Sequence, residues 1–266
     1  MADLRPVGVF DSGVGGLTIL SELRRQSPDE SLVFIADQAW APYGDRTLGE
    51  VRARAFAVVE HLLDGGVKAV VVACNTASAA ALHELRAAYP AVPFVGMEPA
   101  VKPAAEQSDR GVVGVLATAA TFQGELYASV VDRHANSITV VDRPGRGLVE
   151  LIEAGVVEGP EMDECLRGHL VPMMEAGIDT LVLGCTHYPF VADRISSILG
   201  DRVRLIDPAP AVARQTGRVL AAGGLAAGEG EAASTAYRTT GDAGHLRRQL
   251  GVLLDLDVPV QHVEVG

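Results

Sequence analysis

The chain has 266 residues, 48% hydrophobic and 21% charged, which allows one large or two small domains with real cores and excludes a disordered chain. Its formal charge of −12 argues against nucleic-acid binding through a basic surface, and every apolar run is interrupted well short of a membrane span. Three cysteines are too few for a disulfide framework, and Met1–Pro6 lacks the basic and apolar zones of a secretory signal, so a reduced cytoplasmic protein is expected.

In chain order, Val7–Phe10 is a short apolar strand that ends in Asp11-Ser12-Gly13-Val14-Gly15-Gly16, before the helical spacing of Leu17, Leu20 and Leu23. Leu32–Ile35 is a second strand, followed by a loop from Asp37 to Gly44. Arg52–Leu63 reads as a helix closed by Gly65-Gly66, Ala69–Ala73 as a strand, Thr76–Tyr89 as an alanine-rich helix stopped by Pro90, and Val92–Val95 as a strand. The plan then restarts with a strand at Val112–Leu116, a helix opened by Thr118 and Thr121, and a strand at Ile138–Val141. Helical zones come next at Leu148–Ile152 and Cys165–Met174, then a strand at Leu181–Gly184, a helix at Phe190–Leu199 and a strand at Val203–Ile206. Ala221–Ser234, rich in Ala, Gly and Glu, reads as a surface loop or frayed helix. Thr235–Thr240, a helix over His245–Leu254 and an extended Val258–Val265 complete the chain.

Apolar strands alternating with helices predict an α/β fold with mainly parallel sheets flanked by helices. The two halves also repeat. Val7-Gly8-Val9-Phe10-Asp11-Ser12 corresponds to Val113-Gly114-Val115-Leu116-Ala117-Thr118, the stretch from Gly66 to Cys74 to that from Gly177 to Cys185, and Glu98-Pro99-Ala100 to Asp207-Pro208-Ala209. The spacing holds across more than ninety residues from one half to the other. The repeat predicts two pseudo-symmetric domains, 1–97 completed by 210–266 and 98–209, with a ligand cleft between them at the strand C-terminal ends.

Each half carries one cysteine at the same place, Cys74 and Cys185, ending a buried strand ahead of a helix. A helix N-terminus favours an anion, so a thiol of free pKa about 8.5 is expected to be drawn toward thiolate there. Cys165 has no counterpart and is assigned to packing. Two equivalent acid/base groups suit a reaction that removes a proton from one face of a carbon and returns one to the other, because its substrates are mirror images. A hydrolase has no use for the duplication.

Other residues add to the cleft. Asp11 lies at the end of the first strand, and His187 lies two residues beyond Cys185 without the spacing of a zinc site. The Gly13–Gly16 turn lacks the Lys and Ser/Thr of a P-loop. Its backbone N–H groups, with the hydroxyls of Ser12, Thr76, Thr118, Thr121 and Thr186, are suited to holding carboxylates.

These motifs, together with Pro42-Tyr43-Gly44, Cys74-Asn75-Thr76, Gly184-Cys185-Thr186-His187-Tyr188-Pro189 and Thr239-Thr240-Gly241-Asp242, resemble the glutamate racemases of the cofactor-independent aspartate/glutamate racemase superfamily over essentially the whole chain. The resemblance implies interconversion of L- and D-glutamate for peptidoglycan, with no cofactor or metal, in a homodimer. It implies that Cys74 takes the proton from D-glutamate and Cys185 from L-glutamate. Asp11 and His187 are then the auxiliary groups of Cys74 and Cys185, and Glu153 is a further active-site carboxylate. Ser12, Tyr43, Gly44, Asn75, Thr76 and Thr186 match substrate-binding positions. Aspartate or another acidic amino acid is the alternative substrate, and DNA gyrase, inhibited by some members, is an alternative partner. Where the family often has Cys-Pro, this chain has Asp142-Arg143-Pro144-Gly145-Arg146-Gly147. Members activated by a peptidoglycan precursor carry an N-terminal extension; with seven residues before Gly8, no such activation is expected.

Overall fold

The computed structural model describes residues 2–134, 138–228 and 230–266. Its first half runs β1 (Val7–Asp11), α1 (Leu17–Gln26), β2 (Leu32–Ala36), α2 (Leu48–Asp64), β3 (Ala69–Val72), α3 (Asn75–Ala88) and β4 (Phe94–Gly96). The second half continues with α4 (Val101–Gln107), β5 (Val112–Ala117), α5 (Ala119–Gln123), α6 (Glu125–His134), β6 (Thr139–Pro144), α7 (Leu148–Glu153), α8 (Pro160–Glu175), β7 (Thr180–Gly184), α9 (Ala192–Leu199) and β8 (Arg204–Ile206). The chain then adds α10 (Ala209–Ala222), β9 (Thr235–Thr239), α11 (Ala243–Leu254) and β10 (Val260–His262).

Two sheets result, ordered β10-β9-β2-β1-β3-β4 and β6-β5-β7-β8, and every pairing in both is parallel. The second sheet repeats the order β2-β1-β3-β4 strand for strand. Register repeats too: Val7 lies opposite Ala69 in the first sheet, and Val113 lies opposite Thr180 in the second, at the positions the sequence repeat aligns. The last two strands return to the first sheet at its β2 edge. Strands β1, β2, β3 and β7 are buried throughout, because helices cover both faces, and their Val- and Leu-rich runs need no polar alternation.

Three apolar clusters fill the layers. One packs α2 and α3 on the first sheet, and another packs α4 and α6 on the second. The third is continuous across both halves, running from Val9 and Leu20 to Ile152, Leu183 and Tyr188, so the two halves share a core on that side. Among the described residues, no helix is long and apolar enough to cross a membrane.

Several boundaries differ from expectation. Helix α2 begins at Leu48 rather than Arg52, because Thr47 and Glu50 form a capping box that satisfies its first N–H groups. Helices α4 and α10 were not expected. Pro103 in α4 reads as a breaker, yet it falls in the first turn, where no intrahelical N–H bond is lost. Helix α10 buries Ala209, Val212, Ala213, Thr216 and Leu220 on one stripe and packs on α1. Strand β6 extends to Pro144, which an edge strand tolerates. The two cysteines also differ in the segments after them. Helix α3 starts directly after Cys74, whereas a turn and the 3-10 segment Tyr188–Val191 separate Cys185 from α9.

Candidate active site

Parallel strands deliver their C-terminal ends to one side of a sheet. Here the ends of β1 and β3 from one sheet, and of β5 and β7 from the other, border one cavity of about 560 Å³. Asp11, Ser12, Tyr43, Gly44, Cys74, Asn75 and Thr76 line it from the first half, and Thr118, Cys185, Thr186 and His187 from the second. Of the residues singled out in the sequence, Thr121 and Glu153 stand behind this lining, each bonded to a residue that forms it.

Cys74 is the N-cap of α3, and its sulfur accepts a hydrogen bond from the Ala77 N–H at 3.5 Å. The thiol lies 4.0 Å from Ser12 Oγ. Drift toward thiolate was expected at such a position; the balance runs the other way. Burial and the neighbouring Asp11 carboxyl push the Cys74 thiol well up, and the single Ala77 N–H does not offset them. Asp11 is itself wholly buried, and burial raises its carboxyl pKa against the opposing charge of His187. Asp11 Oδ2 accepts from the Gly13 N–H at 3.3 Å and the Gly16 N–H at 2.9 Å, while Oδ1 has no protein partner among the described residues.

The Cys185 end is built differently. Its sulfur lies 3.7 Å from His187 Nδ1, and His187 Nε2 lies 2.6 Å from Glu153 Oε1, which also accepts from the Val14 N–H at 2.8 Å. Burial disfavours a charged imidazole here, but the hydrogen bonds to Cys185 and Glu153 outweigh it and hold His187 well above the ordinary histidine range. Glu153 is lowered despite burial, through the same bond to His187. An imidazolium–carboxylate pair therefore backs the second cysteine, where a buried carboxyl backs the first.

The glycine-rich turn explains how the halves come so close. A Cβ on Gly13 would lie 1.8 Å from Glu153 Oε1, and one on Gly15 would lie 2.3 Å from His187 Nδ1. Any side chain at either position would expel the His187–Glu153 pair. The N–H groups of this turn were expected to bind carboxylates, and those of Gly13, Val14 and Gly16 do so, but the carboxylates are the protein's own Asp11 and Glu153.

Hydroxyls and amides complete the walls. Thr76 Oγ1 and Thr118 Oγ1 are 2.9 Å apart and bridge the two halves, with Thr121 Oγ1 2.8 Å behind Thr118. Both polar atoms of the buried Asn75 side chain lack a partner among the described residues, at a cost that a polar ligand in the cavity would offset. The Tyr43 hydroxyl is not free: it donates to the buried Asp37, which also takes Arg54 Nε at 2.8 Å, Arg54 Nη2 at 2.7 Å and Thr240 Oγ1 at 2.7 Å. Tyr43 thus offers its ring to the cavity.

The cavity also includes Arg46, Thr47, Gln123, Gly145, Arg146 and Glu150, which the sequence motifs did not single out. Arg46 and Thr47 come just after the Pro42-Tyr43-Gly44 motif, and extending that motif by one turn finds them. Gly145 and Arg146 lie in the divergent 142–147 stretch, at the end of β6, so strand-end position was their signal.

Chemically, one cavity holds two sulfurs, each from a different half and each beside its own titratable neighbour, Asp11 for Cys74 and His187 for Cys185. A family model described as Asp/Glu/Hydantoin racemase matches residues 17–216. The glutamate racemase of Ectopseudomonas mendocina (strain ymp) is 49% identical over 249 residues, covering 94% of each chain. Glutamate racemase isoform RacE1 from Bacillus anthracis superposes with a TM-score of 0.90 at 33% identity, over 98% of this chain and 97% of that one. The glutamate racemase of Francisella tularensis subsp. tularensis SCHU S4, solved in complex with D-glutamate, gives 0.86 at 30% identity over 98% of each chain. The chain belongs to the Asp/Glu/Hydantoin racemase family, where it groups with the glutamate racemases, and it is an isomerase.

Proposed function

We propose that this protein interconverts L- and D-glutamate by a two-cysteine proton transfer. The observation that carries the reading is that Cys74 and Cys185, at equivalent strand ends of two repeated halves, line one cavity. In the L-to-D direction Cys185 removes the α-proton, and the Cys74 thiol delivers a proton to the opposite face. In the D-to-L direction the roles exchange. A thiol held protonated at Cys74 supports its part as the acid. Asp11 and His187 carry protons to and from their respective sulfurs, and Glu153 serves through His187.

Asn75, Ser12, Thr76, Thr118 and Thr186 hold the substrate's ammonium and carboxylate groups. The unpartnered Asn75 amide supports this, as does the D-glutamate held by the Francisella relative. Residues 1–97 with 210–266 form one domain and 98–209 the other, in line with β9 and β10 joining the first sheet. The D-glutamate serves peptidoglycan synthesis, and the enzyme works as a cytoplasmic homodimer.

Incubating L-glutamate with the reduced protein in deuterated water should yield D-glutamate deuterated at the α-carbon. No α-deuterium in either enantiomer overturns the reading. A larger kcat/KM for L-aspartate than for L-glutamate overturns the substrate assignment alone.

A further inference from the structure

The carboxylate that orders His187 is held in turn by residues distant in the chain. Glu153 Oε1 is shared between His187 and the Val14 N–H, so its other oxygen decides how the carboxylate is turned. Glu153 Oε2 accepts from Gln249 Nε2 at 3.2 Å and from Gln38 Nε2 at 3.4 Å, and Gln249 Nε2 also donates to the Glu153 carbonyl at 2.6 Å. Behind them, Gln38 Nε2 donates to Gln249 Oε1 at 2.6 Å, and Thr239 Oγ1 donates to Gln38 Oε1 at 3.0 Å. Turning the Gln249 amide over would set its oxygen against both Glu153 oxygens and its nitrogen against Gln38 Nε2. One orientation satisfies the network.

A buried glutamine is tolerated when its amide is paired, and Gln249 is 3% exposed. An ionic pair away from water needs its remaining lone pairs satisfied, and outer partners of this kind set the aim and the basicity of the group they hold. Gln249 comes from α11 and Gln38 from the loop after β2, both on the first sheet, whereas Glu153 ends α7 in the other half. The last helix therefore reaches across to Glu153, behind the cysteine of the opposite half. Among the described residues nothing comparable stands behind Cys74, whose Asp11 is held by backbone N–H groups of its own turn.

We propose that Gln249, supported by Gln38, is a positioning residue for the chemistry at Cys185: the two side-chain amides aim the Glu153 carboxylate at His187, which faces the sulfur. The inference rests on the assignment of Cys185 and His187 given above. The titratable groups facing His187 are Cys185, Glu153 and Asp11, so the His187 titration reports how well Glu153 is held.

Gln249→Met keeps the volume and removes both amide donors. With L-glutamate, kcat should fall about tenfold while KM changes less than about threefold. The His187 titration, tracked by its ring ¹⁵N resonances, should move down by about one pH unit as the carboxylate is less firmly aimed at the ring. Gln38→Met should move both readouts in the same direction by less, and it decides the question by itself if Gln249→Met does not fold. An unmoved His187 titration overturns the proposal, whether kcat is unchanged or falls, because a merely structural loss leaves that titration in place. The titration needs no turnover, so an inactive wild-type protein would overturn the racemase reading and still leave this test standing.

Discussion

At the scale of single residues, the two ends of the candidate active site are matched in position and unmatched in chemistry. Cys74 is kept protonated by burial and by Asp11, whereas Cys185 faces an imidazolium that Glu153 stabilises. In the proposed two-base scheme each sulfur serves one enantiomer, so removing one should separate proton exchange from racemisation. Cys74→Ala should still wash deuterium from solvent into the α-position of L-glutamate through Cys185, while net racemisation falls by at least about a thousandfold. Cys185→Ala should do the converse with D-glutamate. Proton NMR of the α-position alongside chiral chromatography checks both; retained racemisation by either variant contradicts the two-base scheme. Both cysteines, Asp11 and His187 were legible in the sequence because each sits beside a strand end marked by a motif. The direction of the Cys74 shift was not legible. It depends on how completely helices and the opposite half exclude water, and no motif records that.

At the scale of elements, the strands were the easiest to read and the helix starts the hardest. A buried parallel strand announces itself as an apolar run, as in Ala69–Val72 and in Leu181–Gly184 of β7. Helix α2 shows the opposite case. Its first turn, Leu48-Gly49-Glu50-Val51, is fixed by the reciprocal pairing of Thr47 and Glu50, with the Thr47 hydroxyl 2.7 Å from Glu50 Oε2. Thr47 also borders the cavity beside the Tyr43 turn, so the cap anchors one lip of the site. Thr47→Ala should cost about 1 kcal/mol of stability, read from urea denaturation, and Thr47→Ser should restore most of it. An unchanged midpoint in Thr47→Ala would show that the cap contributes nothing. Helix α10 had a readable stripe, but its partner surface on α1 lies almost two hundred residues earlier, and a stripe alone does not name its packing partner.

At the scale of the whole molecule, folding brings together buried titratable groups whose protonated forms are favoured, and stability inherits their pH dependence. Cys74 binds its proton more tightly in the folded chain than in the unfolded one. Its stabilising contribution is therefore complete below the unfolded thiol value of about 8.5 and is lost as pH rises through the higher folded value. Thermal unfolding should accordingly show Tm falling above about pH 8.5, with a shallower fall in Cys74→Ala. Equal slopes for the two proteins would remove Cys74 as the source.

The repeat, the parallel sense of the strands, the equivalent positions of Cys74 and Cys185 and a cleft between the halves were readable from the sequence itself. Those features come from local patterns: apolar runs set strands, and two copies of a unit fold alike. Only the tertiary structure decided how the groups behind each cysteine are held. Glu153 reaches His187 because Gly13 and Gly15 leave room for it, and Gln249 and Gln38 reach Glu153 from the opposite half. The contacts of Glu153 with Val14, Gln38 and Gln249 join segments about one hundred residues or more apart, and they exist only after both halves close on one cavity. The symmetric pair and its unlike neighbours are written along the chain; how those neighbours are buried and held arises from packing.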